Sequence, residues 1–142
     1  MRVREIQKSD LSSIHRLGAM EFKDYSEAGF ERMAGDELYK FWVAEVDGKF
    51  AGFLVVLTVD EKVEIIDIAT EPMFRRMGVA KSLLVTAIQF AQECGKVGLI
   101  LEVNEHNLPA RGLYESLGFK EIYVRKKYYE CKDDAIIMER MI

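Results

Sequence analysis

Arg75-Arg76-Met77-Gly78-Val79-Ala80 sets two cations and a glycine between a strand-like apolar run and a long amphipathic stretch. That is a place where a phosphorylated ligand can be seated. The first amides of a helix lack intrahelical acceptors and carry the positive end of its dipole, so an anion there meets fixed donors. Gly78 removes the Cβ that would keep a ligand off the main chain. A basic helix start with one glycine is also the ordinary form of a solvated turn, and the stretch alone leaves both readings open. It is neither a Walker A loop, whose spacing is absent, nor a Rossmann turn, since only one of three glycines is present.

Glu102 interrupts an apolar strand near its C-terminal end, where open α/β sheets bind ligands. It reads either as a rim carboxylate or as a general base acting directly or through water. Tyr114, at helical spacing from Ala110 and Leu117, is a core aromatic or a phenol able to donate a hydrogen bond to an anion. Asn107 is a helix cap or an amide contact for an extended ligand. Tyr128-Tyr129 are ordinary strand aromatics or the wall of a groove for a chain-like substrate.

The elements that must position these residues follow from periodicity and turn chemistry. Arg2 to Gln7 alternates as a strand, and Ser9 or Asp10 can cap a helix carrying Leu11, Ile14, Leu17 and Gly18. Tyr25 to Ala34 predicts a short second helix with Ser26 as cap and Phe30 and Met33 inward. Lys40–Val46 and Lys49–Val59 around Asp47-Gly48 predict a β-hairpin, because Asp-Gly supplies the positive φ of a primed turn. Lys62 to Thr70 is a further strand. A helix from about Val79 to Cys94 then puts Val79, Leu83, Leu84, Ala87, Ile88 and Ala91 on one face. Val97 to Val103 is expected to be a central strand covered on both faces. Asn107 and Pro109 open a helix ending at Leu117-Gly118, and strands at Lys120–Tyr128 and Asp134–Arg140 complete the chain. Strand, helix and strand around the basic turn should form a parallel right-handed unit.

Composition bounds the rest. At 142 residues, with 49% hydrophobic and 31% charged residues, the chain fits one domain with a core of its own. A net charge of −4 gives no global attraction to nucleic acid. Cys94 and Cys131 lack metal-ligand spacing and read as packing or surface thiols, and His15 and His106 form no evident ligand set, so no metal is expected. The N-terminus has no signal-peptide core and the longest apolar stretch, Phe50–Leu57, is too short to span a membrane. A cytoplasmic location without membrane partners is expected.

Taken together, the segments resemble the GNAT superfamily of acetyl-CoA-dependent N-acetyltransferases, whose signature Gln/Arg-x-x-Gly-x-Gly/Ala is met by Arg75, Gly78 and Ala80. The resemblance covers nearly the whole chain. It is carried further by Leu101-Glu102-Val103, Asn107, Leu113 to Phe119, Tyr128-Tyr129 and Asp134 to Met138, and is nearest to the ribosomal-protein-alanine (RimI-type) and archaeal N-terminal acetyltransferases. It implies the GNAT fold, an α/β arrangement of a mixed seven-stranded sheet flanked by helices. It also implies acetyl-CoA as cosubstrate, with its pyrophosphate on Arg75, Arg76, Met77, Gly78, Val79, Ala80 and Lys81 and its pantetheine arm along Ile68, Ala69, Thr70 and Asn107. Glu102 would be the general base, Tyr114 the general acid at the thiol leaving group, and an amide beside Ala69 or Thr70 the oxyanion donor. Tyr25, Tyr128 and Tyr129 would line the site for the acceptor, a protein or peptide N-terminus such as that of a ribosomal protein. The Trp-Ser-Glu stretch of the RimI type appears here as Tyr25-Ser26-Glu27, and the aromatic-proline pair before it is replaced by Lys23-Asp24, which widens the expected range of N-termini. Two other readings stand beside this one: transfer to a small amine or a lysine side chain, and a non-catalytic acyl-CoA-binding module in which Glu102 and Tyr114 are structural.

Overall fold

The computed structural model of the chain describes residues 1–21, 26–129 and 132–142, and for residues 21, 27 and 127–129 it describes the backbone alone. Among the described residues, four α-helices and seven strands are present in the expected order: β1 (Arg2–Glu5), α1 (Leu11–Glu21), α2 (Glu27–Ala34), β2 (Tyr39–Val46), β3 (Lys49–Leu57), β4 (Lys62–Thr70), α3 (Val79–Glu93), β5 (Gly98–Asn104), α4 (Leu108–Ser116), β6 (Lys120–Tyr129) and β7 (Asp133–Met141). The strands join in the order β1-β2-β3-β4-β5-β7-β6, a mixed sheet whose β4–β5 pair is parallel. The chain divides into two compact units, Met1–Thr58 with Ile66–Ala87, and Val59–Ile65 with Ile88–Ile142.

In the first unit the β2–β3 hairpin turns on Asp47 and Gly48, with φ of 51° and 76°. Those are the left-handed values the Asp-Gly pair was expected to supply. Ile14 and Leu17 of α1 and Phe30 of α2 pack with Phe41, Val43, Phe53, Val55 and Ala69. Ser26 caps α2, its hydroxyl accepting from the Gly29 amide at 3.0 Å. Tyr25, expected inside that helix, lies outside the described residues.

The entry to α1 differs from expectation. Asp10 does not cap the helix forwards; it ends a 3-10 turn, Lys8–Asp10, and its carboxylate accepts from the Gln7 amide at 2.7 Å. Arg4 then grips it with both guanidinium nitrogens, at 2.8 and 3.0 Å. Burial pushes the Asp10 carboxyl up, but the bonds from Arg4 and Gln7 and the charge of Arg4 outweigh it and hold its pKa below the ordinary carboxylate value. A carboxyl with a lowered folded pKa stabilises above its unfolded pKa, about 3.9, and ceases to do so as pH falls through the folded value. Asp10→Asn is therefore expected to cost roughly 2–3 kcal/mol at pH 7, with the gap to wild type closing as pH drops below about 4. Urea midpoints measured from pH 3 to pH 7 check both the size and the pH trend.

In the second unit the start of β4 pairs with β5 from Lys62↔Gly98 to Glu64↔Ile100, and β5 pairs with β7 along its whole length. β5 is not covered on both faces as its apolar run suggested. Leu99, Leu101 and Val103 are buried, while Ile100 and Asn104 are half-buried and Glu102 is open. The run is apolar on its open face only at Ile100, so composition hid an alternating strand. Pro109 stands in the first turn of α4 and Gly118, at φ 90°, follows its end, both as expected.

Candidate active site

The basic turn lies in the first unit and is built by β4, a 3-10 turn and α3. β4 ends in Ile68, Ala69 and Thr70, and the Glu71 amide donates to the Ala51 carbonyl at 2.8 Å, which fixes where the strand stops. Arg16 of α1 pairs with the Glu71 carboxylate and holds the same corner. Pro72–Phe74 makes one 3-10 turn whose Phe74 is buried as an anchor. The chain then turns on two left-handed residues, Arg76 at φ 63° and Gly78 at φ 81°, before α3 starts at Val79. An arginine in that region carries about 1–2 kcal/mol of local strain, a cost met mainly where function needs the turn.

Arg75, Arg76, Met77, Gly78 and Lys81 are exposed, and a Cβ placed on Gly78 would meet no atom within 4 Å. The main chain at the helix start is thus open, with the exposed cations Arg75, Arg76 and Lys81 beside it in sequence. Val79 and Ala69 are 2% and 4% exposed, so each can serve a ligand only through its main chain.

Glu102, Asn107 and Tyr114 belong to the second unit. Glu102 lies on the open face of β5 with its side chain 32% exposed, and Arg125 of β6 donates from Nη1 to its Oε1 at 2.9 Å. Arg125 reaches over β7 to do so, a partner that no local pattern in the sequence showed. Glu64 of β4 opposes Ile100, so it stands on the same face as Glu102, two residue positions earlier along the ladder. Partial desolvation, then the charges of Glu102 and Asp60, raise the Glu64 pKa above its ordinary value.

Asn107 is the cap of α4, its Oδ1 accepting from the Ala110 amide at 3.3 Å, which leaves a ligand contact to its Nδ2. Tyr114 is 7% exposed, with its ring tilted 59° against Phe119 at a centroid distance of 5.9 Å. His106 Nε2 lies 3.1 Å from Glu105 Oε1 and 3.5 Å from Asp133 Oδ1, a grouping of possible ligand atoms that the distance of Asp133 in sequence concealed. Of the expected acceptor-site residues, Tyr128 and Tyr129 are the last two positions of β6, and Tyr129 pairs with Asp133 across the β6–β7 turn.

A seven-stranded mixed sheet with a basic turn before α3 and a carboxylate on β5 is the arrangement of a class of acyl-group transferases, and the chain matches the Acetyltransferase (GNAT) family over residues 2–119. It belongs to that family and is an N-acetyltransferase, using acetyl-CoA as its members do. The [ribosomal protein bS18]-alanine N-acetyltransferase of Escherichia coli K12 is 36% identical over 80% of this chain and 78% of its own length. The crystal structure of the Escherichia coli ribosomal-protein-S18-alanine N-acetyltransferase superposes with a TM-score of 0.90 at 31% identity, covering 99% of this chain and 93% of that one. An N-alpha-acetyltransferase of Sulfurisphaera tokodaii is 28% identical over 96% of this chain and 90% of its own length.

Proposed function

We propose that this enzyme transfers the acetyl group of acetyl-CoA to the N-terminal α-amine of a protein, a ribosomal protein or a broader set of N-termini. The observation that carries the reading is Glu102, an accessible carboxylate on the open face of β5 fixed at one oxygen by Arg125. Likeness to relatives named for α-amine acetylation supports the acceptor.

In the proposed reaction Glu102 takes a proton from the acceptor ammonium, directly or through water, and the freed amine attacks the thioester carbonyl. A C–N bond forms, the C–S bond breaks, and the coenzyme A thiolate leaves with a hydrogen bond from the Tyr114 hydroxyl; the second proton lost by the acylated nitrogen goes through solvent to the thiolate, and the first is released from Glu102 to solvent. No Cys or Ser nucleophile takes part. Arg75 to Lys81 seat the pyrophosphate, while Ile68 to Thr70 and Asn107 hold the pantetheine arm. Tyr25, Tyr128 and Tyr129 are the residues assigned by this reading to contact the acceptor.

Acidity favours the α-amine. At pH 7 freeing an α-amine costs about 1–1.5 kcal/mol, against about 4.6 kcal/mol for lysine. A carboxylate working through water suits the smaller cost. A tyrosine near pKa 10 is a weaker acid than a thiol near 8.5, so Tyr114 serves the thiolate by hydrogen bonding more than by full proton transfer. Among the described residues no helix is long and apolar enough to cross a membrane. A ribosomal protein as acceptor would place the enzyme's work in the cytoplasm.

The test is a peptide library with free and blocked N-termini, run beside polyamines and lysine-containing peptides, with the acetyl group located by mass spectrometry. Acetylation confined to free α-amines is the expected result, and transfer to lysine or small amines alone would overturn it. Tyr114→Phe is expected to lower kcat by about tenfold or more while leaving acetyl-CoA affinity within twofold, since only the hydroxyl is removed.

A further inference from the structure

We propose that Glu105, His106 and Asp133 form a surface site for one divalent transition-metal ion of the zinc type, apart from the residues assigned to acetyl transfer. His106 Nε2, Glu105 Oε1 and Asp133 Oδ1 supply the protein ligands, and water completes the shell.

The three side chains come from two segments of the second unit. Glu105 and His106 stand in the loop between β5 and α4, and Asp133 opens β7. Asn104, the last residue of β5, joins these segments. Its Nδ2 donates to Asp133 Oδ2 at 3.1 Å, and its Oδ1 accepts from the His106 amide at 2.9 Å. The Glu105 amide donates to the Asp134 carbonyl at 3.0 Å, and Arg111 of α4 donates to the Glu105 carbonyl at 2.8 Å. Both backbones are thus fixed, and Asp133 is held by one oxygen while the other turns to His106. Metal ligands are oriented by outer bonds of this kind.

The spacing of the donor atoms points to an ion rather than to a hydrogen bond alone. His106 Nε2 lies 3.1 Å from Glu105 Oε1 and 3.5 Å from Asp133 Oδ1, and all three atoms fall within 4.8 Å of one another. Zinc takes nitrogen and oxygen ligands at about 2.0–2.1 Å, which sets the corners of its tetrahedron about 3.3–3.4 Å apart, between the two separations found here. One proton on Nε2 can serve one carboxylate, whereas an ion among the three atoms meets both. Among the described residues neither carboxylate has another ion-pair partner, so negative charge remains for a cation to neutralise. The imidazole selects zinc, cobalt or nickel over magnesium and calcium, which prefer shells of oxygen. The His106 side chain is 72% exposed, so an ion enters from solvent without rearrangement. Once bound, it ties the loop before α4 to the start of β7.

The experiment titrates the chelator-treated full chain with zinc by calorimetry and with cobalt by absorption. One ion per chain is expected, bound at least tenfold more weakly by His106→Asn and by Asp133→Asn. Zinc at a hundredfold excess over its Kd should raise the melting temperature by about 5 °C or more, and a chelator should reverse the rise. Because His106 is so exposed, metal-free His106→Asn should melt with metal-free wild type, so that lost binding is not lost folding.

Two controls locate the ion. Of the two histidines in the chain, cobalt should displace the ring resonances of His106 and leave those of His15 in place. The double variant Cys94→Ser, Cys131→Ser should bind as wild type does, which separates this site from coordination by thiolates. No binding by wild type at millimolar zinc, unchanged affinity in His106→Asn, or binding abolished in the cysteine double variant overturns the proposal.

Discussion

Glu102→Gln is expected to lower kcat by two to four orders of magnitude while leaving acetyl-CoA affinity and melting temperature close to wild type. The size follows from what a positioned general base contributes, about 10²- to 10⁴-fold. The specificity of the loss follows from the surroundings of the side chain. Glu102 is 32% exposed and its recorded partner, Arg125, is 45% exposed, so breaking the pair removes a solvent-screened contact worth less than about 1 kcal/mol. Glutamine keeps the volume and an oxygen that can accept from Arg125, so the pair's geometry survives and only proton acceptance is lost. Single-turnover rates with saturating acetyl-CoA, beside calorimetric binding of acetyl-CoA, separate chemistry from cofactor binding. A rate within threefold of wild type would remove Glu102 from the mechanism. Arg125→Ala gives a graded comparison, because it frees the carboxylate to wander without removing it, and should cost less than the loss of the base itself.

What the sequence made legible is what local chemistry dictates. Asp47-Gly48 specifies its own turn, Pro109 and Gly118 bound α4, and the apolar face of α3 repeats at helical period, so these elements appear where periodicity put them. Glu102 was visible because a charge in an apolar strand is locally anomalous. Its partner was not, since Arg125 reaches it from β6 across β7, and the order in which three strands lie side by side is settled by tertiary packing. The same reason hid Arg4 as the partner of Asp10 and Glu64 as the neighbour of Glu102. Arg76 was hidden differently. Its left-handed φ is imposed by the turn against the residue's own preference, and nothing in an arginine announces it. Asp67 stands on the buried side of β4 with Val63, Ile65 and Ala69 and is 3% exposed, a placement that its charge alone would not suggest.

Gly52 is the position where the smallest change should disturb the proposed cofactor cradle most, although the sequence gives no hint of it. On β3, a Cβ added at Gly52 would stand 2.5 Å from the Ala69 carbonyl oxygen, 3.1 Å from Val79 Cγ1 and 3.3 Å from Thr70 Cα. Ala69 and Thr70 form the strand edge proposed to meet the pantetheine arm, and Val79 is the first residue of α3. Two of these contacts are to backbone, which cannot rotate away, so Gly52→Ala must push the end of β4 off β3. Overpacking of this kind costs about 1–3 kcal/mol, a fall in melting temperature of roughly 3–12 °C for a domain of this size. The same displacement moves the amides proposed to hold the thioester, and misplacement of about 1 Å in such groups can cost 10²-fold in rate. Gly52→Ala is therefore expected to weaken acetyl-CoA binding by about tenfold or more at temperatures where the variant is fully folded. Gly48→Ala supplies the contrast. At φ 76° a Cβ there meets no atom within 4 Å, so it should lose about 1 kcal/mol to backbone strain and leave acetyl-CoA affinity intact. Thermal melts and calorimetric titrations of both variants check the pair. Normal acetyl-CoA affinity in Gly52→Ala would mean that the edge at Ala69 and Thr70 is not part of the cofactor seat.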